Sequence, residues 1–309
     1  MKALITGISG FVGANLARYL LKRGHEVTGF VRNPASIWRL EEVKDRIEFY
    51  SGDLLDKDSI YRSVLEAKPD VIFHFAVYDY HKKEIETIFG TGVFATMHLL
   101  EAAKRVGVKM FVNAGSSSEY GAKKEPMRED QILEPNSYYA IGKAAQTHLV
   151  SHFSKTEKIP AVTLRLFSVY GPYEEEKRFI PTLIRSALNN QTMPLNSGSN
   201  ARDFIYVGDV CDACERAMHA TLFGDAINIG SGVQRTLMDM FSEVKKITGS
   251  SMSASVGAYE NREFDTTRWV ADCAFAKRVI DFEAMTNYSD GLKWTVDWFQ
   301  KSGKIPAGC

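Results

Sequence analysis

The chain of 309 residues is long enough to bury a large core in one or two domains. Lys+Arg and Asp+Glu both number 38, so no global positive field exists to hold nucleic acid or an anionic membrane. No long apolar stretch could span a bilayer, and the four cysteines are too scattered for a disulfide framework, so a cytoplasmic protein without a signal peptide is expected.

The first strand is Lys2-Ala3-Leu4-Ile5-Thr6, and Gly7-Ile8-Ser9-Gly10-Phe11-Val12-Gly13 follows it at once. From Phe11 the period becomes helical, with Val12, Leu16, Tyr19 and Leu20 on one face. Strand, glycine turn and helix together form the setting of a dinucleotide site. Gly7 permits the tight turn, Gly10 lets backbone N–H groups reach a pyrophosphate, and Gly13 lets the helix pack close. The positive end of the helix dipole then faces the anion. The second strand, Glu26–Val31, decides the cofactor. An NAD site places a carboxylate at its tip for the ribose 2′-OH, whereas an arginine accommodates the 2′-phosphate of NADP. Here the tip reads Val31-Arg32-Asn33, with no acid. Arg32, helped by Arg39, is therefore expected to clamp a 2′-phosphate, which favours NADP(H) over NAD(H). Ile47–Tyr50 reads as the third strand, before Ser51-Gly52-Asp53-Leu54. Val71–Phe75 is almost wholly apolar, as a central parallel strand should be, and His74 is expected to be a structural hydrogen-bonder.

Met110–Asn113 reads as a strand leading into Gly115-Ser116-Ser117-Ser118-Glu119-Tyr120-Gly121. Further on, Tyr139-Ala140-Ile141-Gly142-Lys143 is helical, and the i, i+4 spacing puts phenol and ammonium on one face. Tyr138 falls on the wrong side. A phenol with a pKa of about 10 is a poor acid or base at neutral pH, and a nearby ammonium is expected to pull that pKa down. Ala161–Leu166 is the sixth strand. Cys211-x-x-Cys214 sits in Asp209–Met218, where Val210, Ala213, Cys214 and Ala217 share a helical face. With no second cysteine pair to complete a tetrahedral site, small buried thiols are expected and no metal.

In this order the motifs resemble the extended short-chain dehydrogenase/reductases, the NAD(P)-dependent nucleotide-sugar epimerases, dehydratases and reductases. The G-x-x-G-x-x-G spacing with Gly10-Phe11-Val12-Gly13 is similar to that branch. The serine turn is similar to the family's S-x-x-x-Y-G, in which the hydroxyl four before the tyrosine, here Ser116, is catalytic. Arg165-Leu166-Phe167-Ser168-Val169-Tyr170-Gly171-Pro172 resembles R-x-F-N-V-Y-G-P, with Ser168 in place of asparagine. Arg178-Phe179-Ile180-Pro181, Gly198, Ala201–Val207 and Asn228–Gly232 match further landmarks, and Arg262-Glu263-Phe264-Asp265 fits R-P-G-D at its ends. The helix ending Leu99-Leu100-Glu101-Ala102-Ala103 resembles the family's long fourth helix, but Gly92 and His98 stand where asparagines are usual.

The resemblance implies an α/β fold: a Rossmann doubly wound parallel sheet with a smaller, mostly C-terminal α/β substrate-binding lobe. Residues 1–166 would form the dinucleotide domain, with the sheet completed from about 203–230. Residues 167–202 and 231–309 would form the lobe. It also implies Ser116, Tyr139 and Lys143 as catalytic residues, with Lys143 on the nicotinamide ribose as well. Cofactor contacts are expected from Gly7, Gly10, Phe11, Val12, Gly13, Arg32, Asp53 and Leu54 beside adenine, and Phe75 and Ala76. Substrate contacts are expected from Ser117, Ser118, Ser168, Arg202 and Arg262, with the two arginines on a diphosphate. The Tyr139 helix and the one ending near Val106 would pair with their copies in a homodimer.

The expected function is an NADP(H)-dependent oxidoreductase acting on a nucleotide-linked sugar, a 4-keto-6-deoxy-sugar reductase transferring hydride at C4. The alternative is a nucleotide-sugar 4-epimerase with tightly held NAD(P), which uses the same residues. Dehydration ranks lower, because the positions two and three before the turn tyrosine are Ser118 and Ser117, and Glu119 comes one too late. A non-catalytic NADP-binding sensor also ranks lower, because it has no need of a tuned phenol.

Overall fold

A computed structural model describes residues 1–34, 37–77, 85–258, 260 and 266–302. The first half mostly alternates strand and helix. It runs β1 (Lys2–Thr6), α1 (Phe11–Lys22), β2 (Glu26–Val31), β3 (Ile47–Ser51), α2 (Lys57–Ala67), β4 (Val71–His74), α3 (Ile85–Ile88), α4 (Ala95–Val106), β5 (Met110–Ser116), α5 (Tyr138–Glu157) and β6 (Ala161–Leu166). The second half mixes short strands and helices. These are β7 (Ser168–Tyr170), α6 (Phe179–Leu188), β8 (Met193–Leu195), β9 (Ala201–Tyr206), α7 (Val207–Ala217), β10 (Ala226–Ile229), β11 (Gln234–Thr236), α8 (Leu237–Thr248), β12 (Ala254–Val256), α9 (Ala274–Ile280) and α10 (Tyr288–Ser302).

Seven strands form one parallel sheet in the order β10-β6-β5-β4-β1-β2-β3. Helices cover both faces, so its strands are apolar on both sides, and alternate residues part company. Ala3 and Ile5 face a cluster with Leu16 and Leu20 of α1 and Val210 and Cys214 of α7. Leu4 faces a second cluster with Ile60 and Val64 of α2, Leu99 and Leu100 of α4, and Val150 of α5. Each leucine, isoleucine or valine among them contributes about 1.5–3 kcal/mol when fully buried. The strand order reverses between β1 and β4, and a crevice at the carboxyl ends of these strands is where this architecture binds ligands.

The remaining strands stand apart from that sheet. β11, β9 and β7 form a three-stranded sheet, and β12 pairs with β8. Within the stretch 203–230, only β10 joins the main sheet, while β9 lies between β7 and β11. A third cluster unites Ile180, Leu183 and Ile184 of α6 with Met240 and Val244 of α8 and Leu292 and Val296 of α10. A fourth and smaller one, of Tyr120, Met127, Phe167, Trp269 and Ala271, lies beneath the serine turn. Cys211 and Cys214 are fully buried on α7, and burial pushes both thiols up, as inert core cysteines require. Among the described residues, no helix is long and apolar enough to cross a membrane.

Candidate active site

The glycine turn is shaped for close approach. Gly7 adopts φ +71, in the left-handed region, and a Cβ there would sit 2.5 Å from the Ala76 nitrogen. A Cβ on Gly13 would lie 2.3 Å from the Gly7 carbonyl oxygen, so strand, turn and helix meet only because both residues lack side chains. Gly10 caps α1 with extended backbone and no side-chain cap, which leaves the first N–H groups of the helix, from Phe11 and Val12 onward, to meet an anion. Across the crevice, the Phe75 N–H donates to the Thr6 carbonyl (3.1 Å), placing Phe75 and Ala76 along the same groove. This cradle fits a dinucleotide pyrophosphate.

Arg32 stands exposed just past β2, with no carboxylate at the strand tip. Arg39 is more deeply seated than its sequence position suggests. Its guanidinium donates to the carbonyls of Tyr173 (2.8 Å) and of Ser9 (3.3 Å), the middle of the glycine turn, and stacks on Trp38. Asp53 lies past β3, where one carboxylate oxygen accepts from the Leu55 N–H at 2.9 Å, with Leu54 half-buried beside it. His74 is fully buried between Thr6 Oγ1 (2.7 Å) and Thr96 Oγ1 (3.0 Å). Burial, reinforced by the Lys143 charge, pushes its pKa down to about 3, so it is a neutral hydrogen-bonder.

β5 runs to Ser116, three residues beyond the expected end, because Gly115 and Ser116 continue the pairing with Arg165 and Leu166 of β6. Ser116 then caps a 3-10 turn, Ser117–Tyr120, in a capping box. Its hydroxyl accepts from the Ser118 N–H at 3.2 Å, and Glu119 Oε1 accepts from the Ser116 N–H at 2.8 Å. The other Glu119 oxygen accepts from Thr147 Oγ1 of α5 (2.8 Å) and Arg165 Nε of β6 (2.9 Å), and the carboxylate is 0% exposed. Arg165 also donates to the Tyr120 hydroxyl at 2.8 Å, which donates in turn to Asn228 Oδ1 of β10. Glu119 is thus committed to holding the turn and is no free proton donor.

α5 starts where Ser137 Oγ accepts from the Ala140 N–H at 3.2 Å, so the helix opens one residue before Tyr139. This register turns Tyr139 and Lys143 inward and leaves Tyr138 54% exposed. Ser116 hydrogen-bonds Tyr139. The expected depression of the phenol is not what the geometry gives. Burial pushes Tyr139 up, opposed by the Ser116 hydrogen bond and the Arg178 charge. Lys143 is 5% exposed, and its ammonium donates to the Ala114 carbonyl (2.6 Å) and Gln146 Oε1 (3.3 Å). Burial brings it down to about 8, against the pull of Glu119.

The substrate side divides. Ser118 is half-buried, with its Oγ 2.8 Å from Ser116 Oγ, and Ser168 is half-buried at the start of β7. Ser117 is buried and accepts from Trp269 Nε1 at 3.0 Å. Arg202 of β9 lies over the Trp269 ring, 5.2 Å from its centroid, and its strand is pinned by Asp203, which accepts from Ser231, Gly232 and Ala271. Arg262 lies outside the described residues. One further group carries no obvious sequence signal. Glu174, buried after the Gly171-Pro172 turn, is pushed up to about 8 by burial, and its Oε1 sits 3.8 Å from Arg178 Nε at the start of α6.

The geometry is matched by relatives of known kind. Residues 3–230 match the model of the NAD dependent epimerase/dehydratase family. A trifunctional UDP-glucose 4,6-dehydratase/UDP-4-keto-6-deoxy-D-glucose 3,5-epimerase/UDP-4-keto-L-rhamnose-reductase of Arabidopsis thaliana is 27% identical over 97% of this chain and 47% of its own. The chain therefore spans about half the length of that relative. The UDP-glucose 4-epimerase of Mycolicibacterium smegmatis is 29% identical over 98% of this chain and all of its own. Among solved structures, the UDP-glucuronic acid 4-epimerase of Bacillus cereus, in complex with UDP-glucuronic acid and NAD, superposes with a TM-score of 0.88. It is 28% identical and covers 98% of this chain and 100% of its own. A match spanning most of the chain, together with the glycine cradle and the serine turn facing Tyr139 and Lys143, makes this chain a member of the NAD dependent epimerase/dehydratase family.

Proposed function

We propose that the protein is an NADP(H)-dependent enzyme that reduces the C4 ketone of a nucleotide-linked 4-keto-6-deoxy sugar. The observation that carries the proton chemistry is the Ser116 hydroxyl bonded to Tyr139, with Lys143 one helical turn behind it. Bound NADPH would supply the hydride. Ser116 holds the substrate oxygen, and Tyr139 Oη delivers a proton to the alkoxide that forms there. The high Tyr139 pKa suits a group that must be protonated to act as an acid. Ser118, Ser168 and Arg202 are read as substrate contacts, Ser117 as a wall held by Trp269, and Arg262 as a second diphosphate arginine. A planar guanidinium suits phosphate oxygens.

Arg32 at an acid-free strand tip, with Arg39 seated against Ser9, supports NADP(H). Residues 1–166 with β10 are read as the dinucleotide domain, and 167–202 with 231–309 as the lobe. Exposed Phe94, Tyr138 and Ile141, which lie on or beside α4 and α5, support a homodimer through these helices. Dehydration lacks its acid, because Glu119 is tied to Ser116, Thr147 and Arg165. The scattered cysteines support a cytoplasmic location.

A 4-epimerase that retains its nucleotide is the second reading, favoured by the likeness to NAD-bound epimerases. Incubation with NADPH and a panel of nucleotide 4-keto-6-deoxy sugars separates the two readings. Stoichiometric loss of NADPH absorbance is expected. Conversion of ordinary nucleotide hexoses to their C4 epimers, with no net cofactor change, would replace the reductase with the epimerase.

A further inference from the structure

Lys143 carries a charge in a nearly closed space, so its direction depends on what its three N–H donors meet. One acceptor, the Ala114 carbonyl, is main chain of β5 and fixed by the sheet. The other, Gln146 Oε1, belongs to a side chain that must itself be held. Gln146 is 3% exposed and lies at i+3 from Lys143, on the same face of α5. Its amide nitrogen abuts Gly92, where a Cβ would come within 2.8 Å of Gln146 Nε2. Gly92 lies in a π-helical turn, Phe89–Phe94, that leads into α4. The wide turn and the missing side chain together open the slot that the glutamine amide fills. Gly92, Gly142, Tyr139, Lys143 and Gln146 line one narrow cleft.

We propose that Gln146 is a positioning residue for Lys143: its amide, wedged against Gly92, fixes the ammonium on the Ala114 carbonyl, one turn from Tyr139. This rests on the reading of Tyr139 and Lys143 as the acid–base pair. The charged and titratable groups facing the pair are Glu119 from the serine turn, His74 from β4 and Arg178 from the start of α6. Gln146 is itself neutral, so it sets direction without offsetting the lysine charge.

Two variants separate direction from charge. Gln146→Leu keeps most of the volume and removes the acceptor. Gln146→Glu keeps the shape and sets a carboxylate on the ammonium. Three quantities are read in each: NADPH affinity by fluorescence titration, the tyrosinate ultraviolet difference against Tyr139→Phe in the same background, and thermal midpoint. Gln146→Leu should weaken NADPH binding by about tenfold, the worth of one hydrogen bond to a charged group. Gln146→Glu should move the Tyr139 titration to higher pH by about one pH unit, because the added carboxylate disfavours a phenolate one helical turn away. Unchanged affinity and unchanged titration in folded variants would overturn the proposal. Should Gln146→Leu fail to fold, Gly92→Ala pushes on the same amide with Gln146 intact, and the same two readouts decide. Lys143→Met keeps the outcomes distinct. If it leaves the Tyr139 titration unmoved, the acid–base reading fails. If it moves that titration and no change at Gln146 or Gly92 does, only the positioning role fails.

Discussion

The two walls of the crevice are made of different material. The dinucleotide wall is mostly backbone: a left-handed Gly7, an uncapped helix start at Gly10, and a Gly13 with no room for a Cβ beside the Gly7 carbonyl. The wall proposed to be catalytic is mostly side chain. Glu119 alone joins its own turn, α5 and β6 through Ser116, Thr147 and Arg165. A backbone wall is specified by neighbours in sequence, since glycines a few residues apart fix it. A side-chain wall is specified by residues far apart, each replaceable if a partner changes too.

The contrast breaks most readily at Glu119. Removing one partner of a buried ion pair leaves the other charge stranded, and Glu119→Leu should cost about 3–5 kcal/mol of stability by urea unfolding. A cost near zero would mean that the catalytic wall stands without its side-chain network. Next in size is Tyr139→Phe, which keeps the ring and removes one oxygen. Turnover should fall by about a hundredfold or more, with nucleotide affinity nearly unchanged, because the backbone wall holds the nucleotide. Lys143→Ala should lower both, and Tyr138→Phe, on the exposed side of α5, should lower neither.

The same division governs what the sequence discloses. β2 and β6 have the bounds their apolar runs predict, and the glycine turn is legible from spacing alone. β5 is longer than its apolar core, because pairing with β6 carries it through Gly115 and Ser116. α7 starts at Val207 rather than Asp209, directly where β9 ends. The Ser116-x-x-Glu119 capping box is a signal present in the sequence, and it points to a structural Glu119 more strongly than its distance from Tyr120 does. The Trp269–Ser117 and Gln146–Gly92 contacts leave no local pattern, because their partners meet only through the fold. Gly92 in place of the family's asparagine is the one visible trace of the second.

A smaller effect sharpens the backbone side, where Arg32 is the exposed charge expected to distinguish nucleotides. Arg32→Ala should weaken NADP(H) by about 1.5–3 kcal/mol, the worth of a charge-assisted contact, and leave NAD(H) nearly unchanged. Equal weakening of both would take the 2′-phosphate away from Arg32 and leave Arg39, beside Ser9, as the residue to test.

The gentlest test uses two buried titratable groups, His74 of β4 and Glu174 ahead of α6, whose contributions to stability respond to pH in opposite directions. His74 has a folded pKa of about 3 against an ordinary 6.5, because burial and the Lys143 charge disfavour the imidazolium. Between these values the unfolded chain binds more protons, so stability rises with pH and is lost on acidification through that span. Glu174 has a folded pKa of about 8 against an ordinary 4.5, because burial disfavours its carboxylate. Over that span the folded chain keeps the extra proton, so stability falls as pH rises from 4.5 towards 8. Each slope is at most about 1.4 kcal/mol per pH unit. Urea unfolding of the wild type across this range, compared with His74→Asn and with Glu174→Gln, isolates the two groups, since every other carboxylate cancels in the difference. The wild-type-minus-His74→Asn curve should climb up to pH about 6.5 and then level, while the Glu174→Gln difference should descend until pH about 8. A flat curve at His74 would mean that water reaches the backbone side. A flat curve at Glu174 would mean that the Arg178 charge, not burial, sets the state of this carboxyl group at the start of α6.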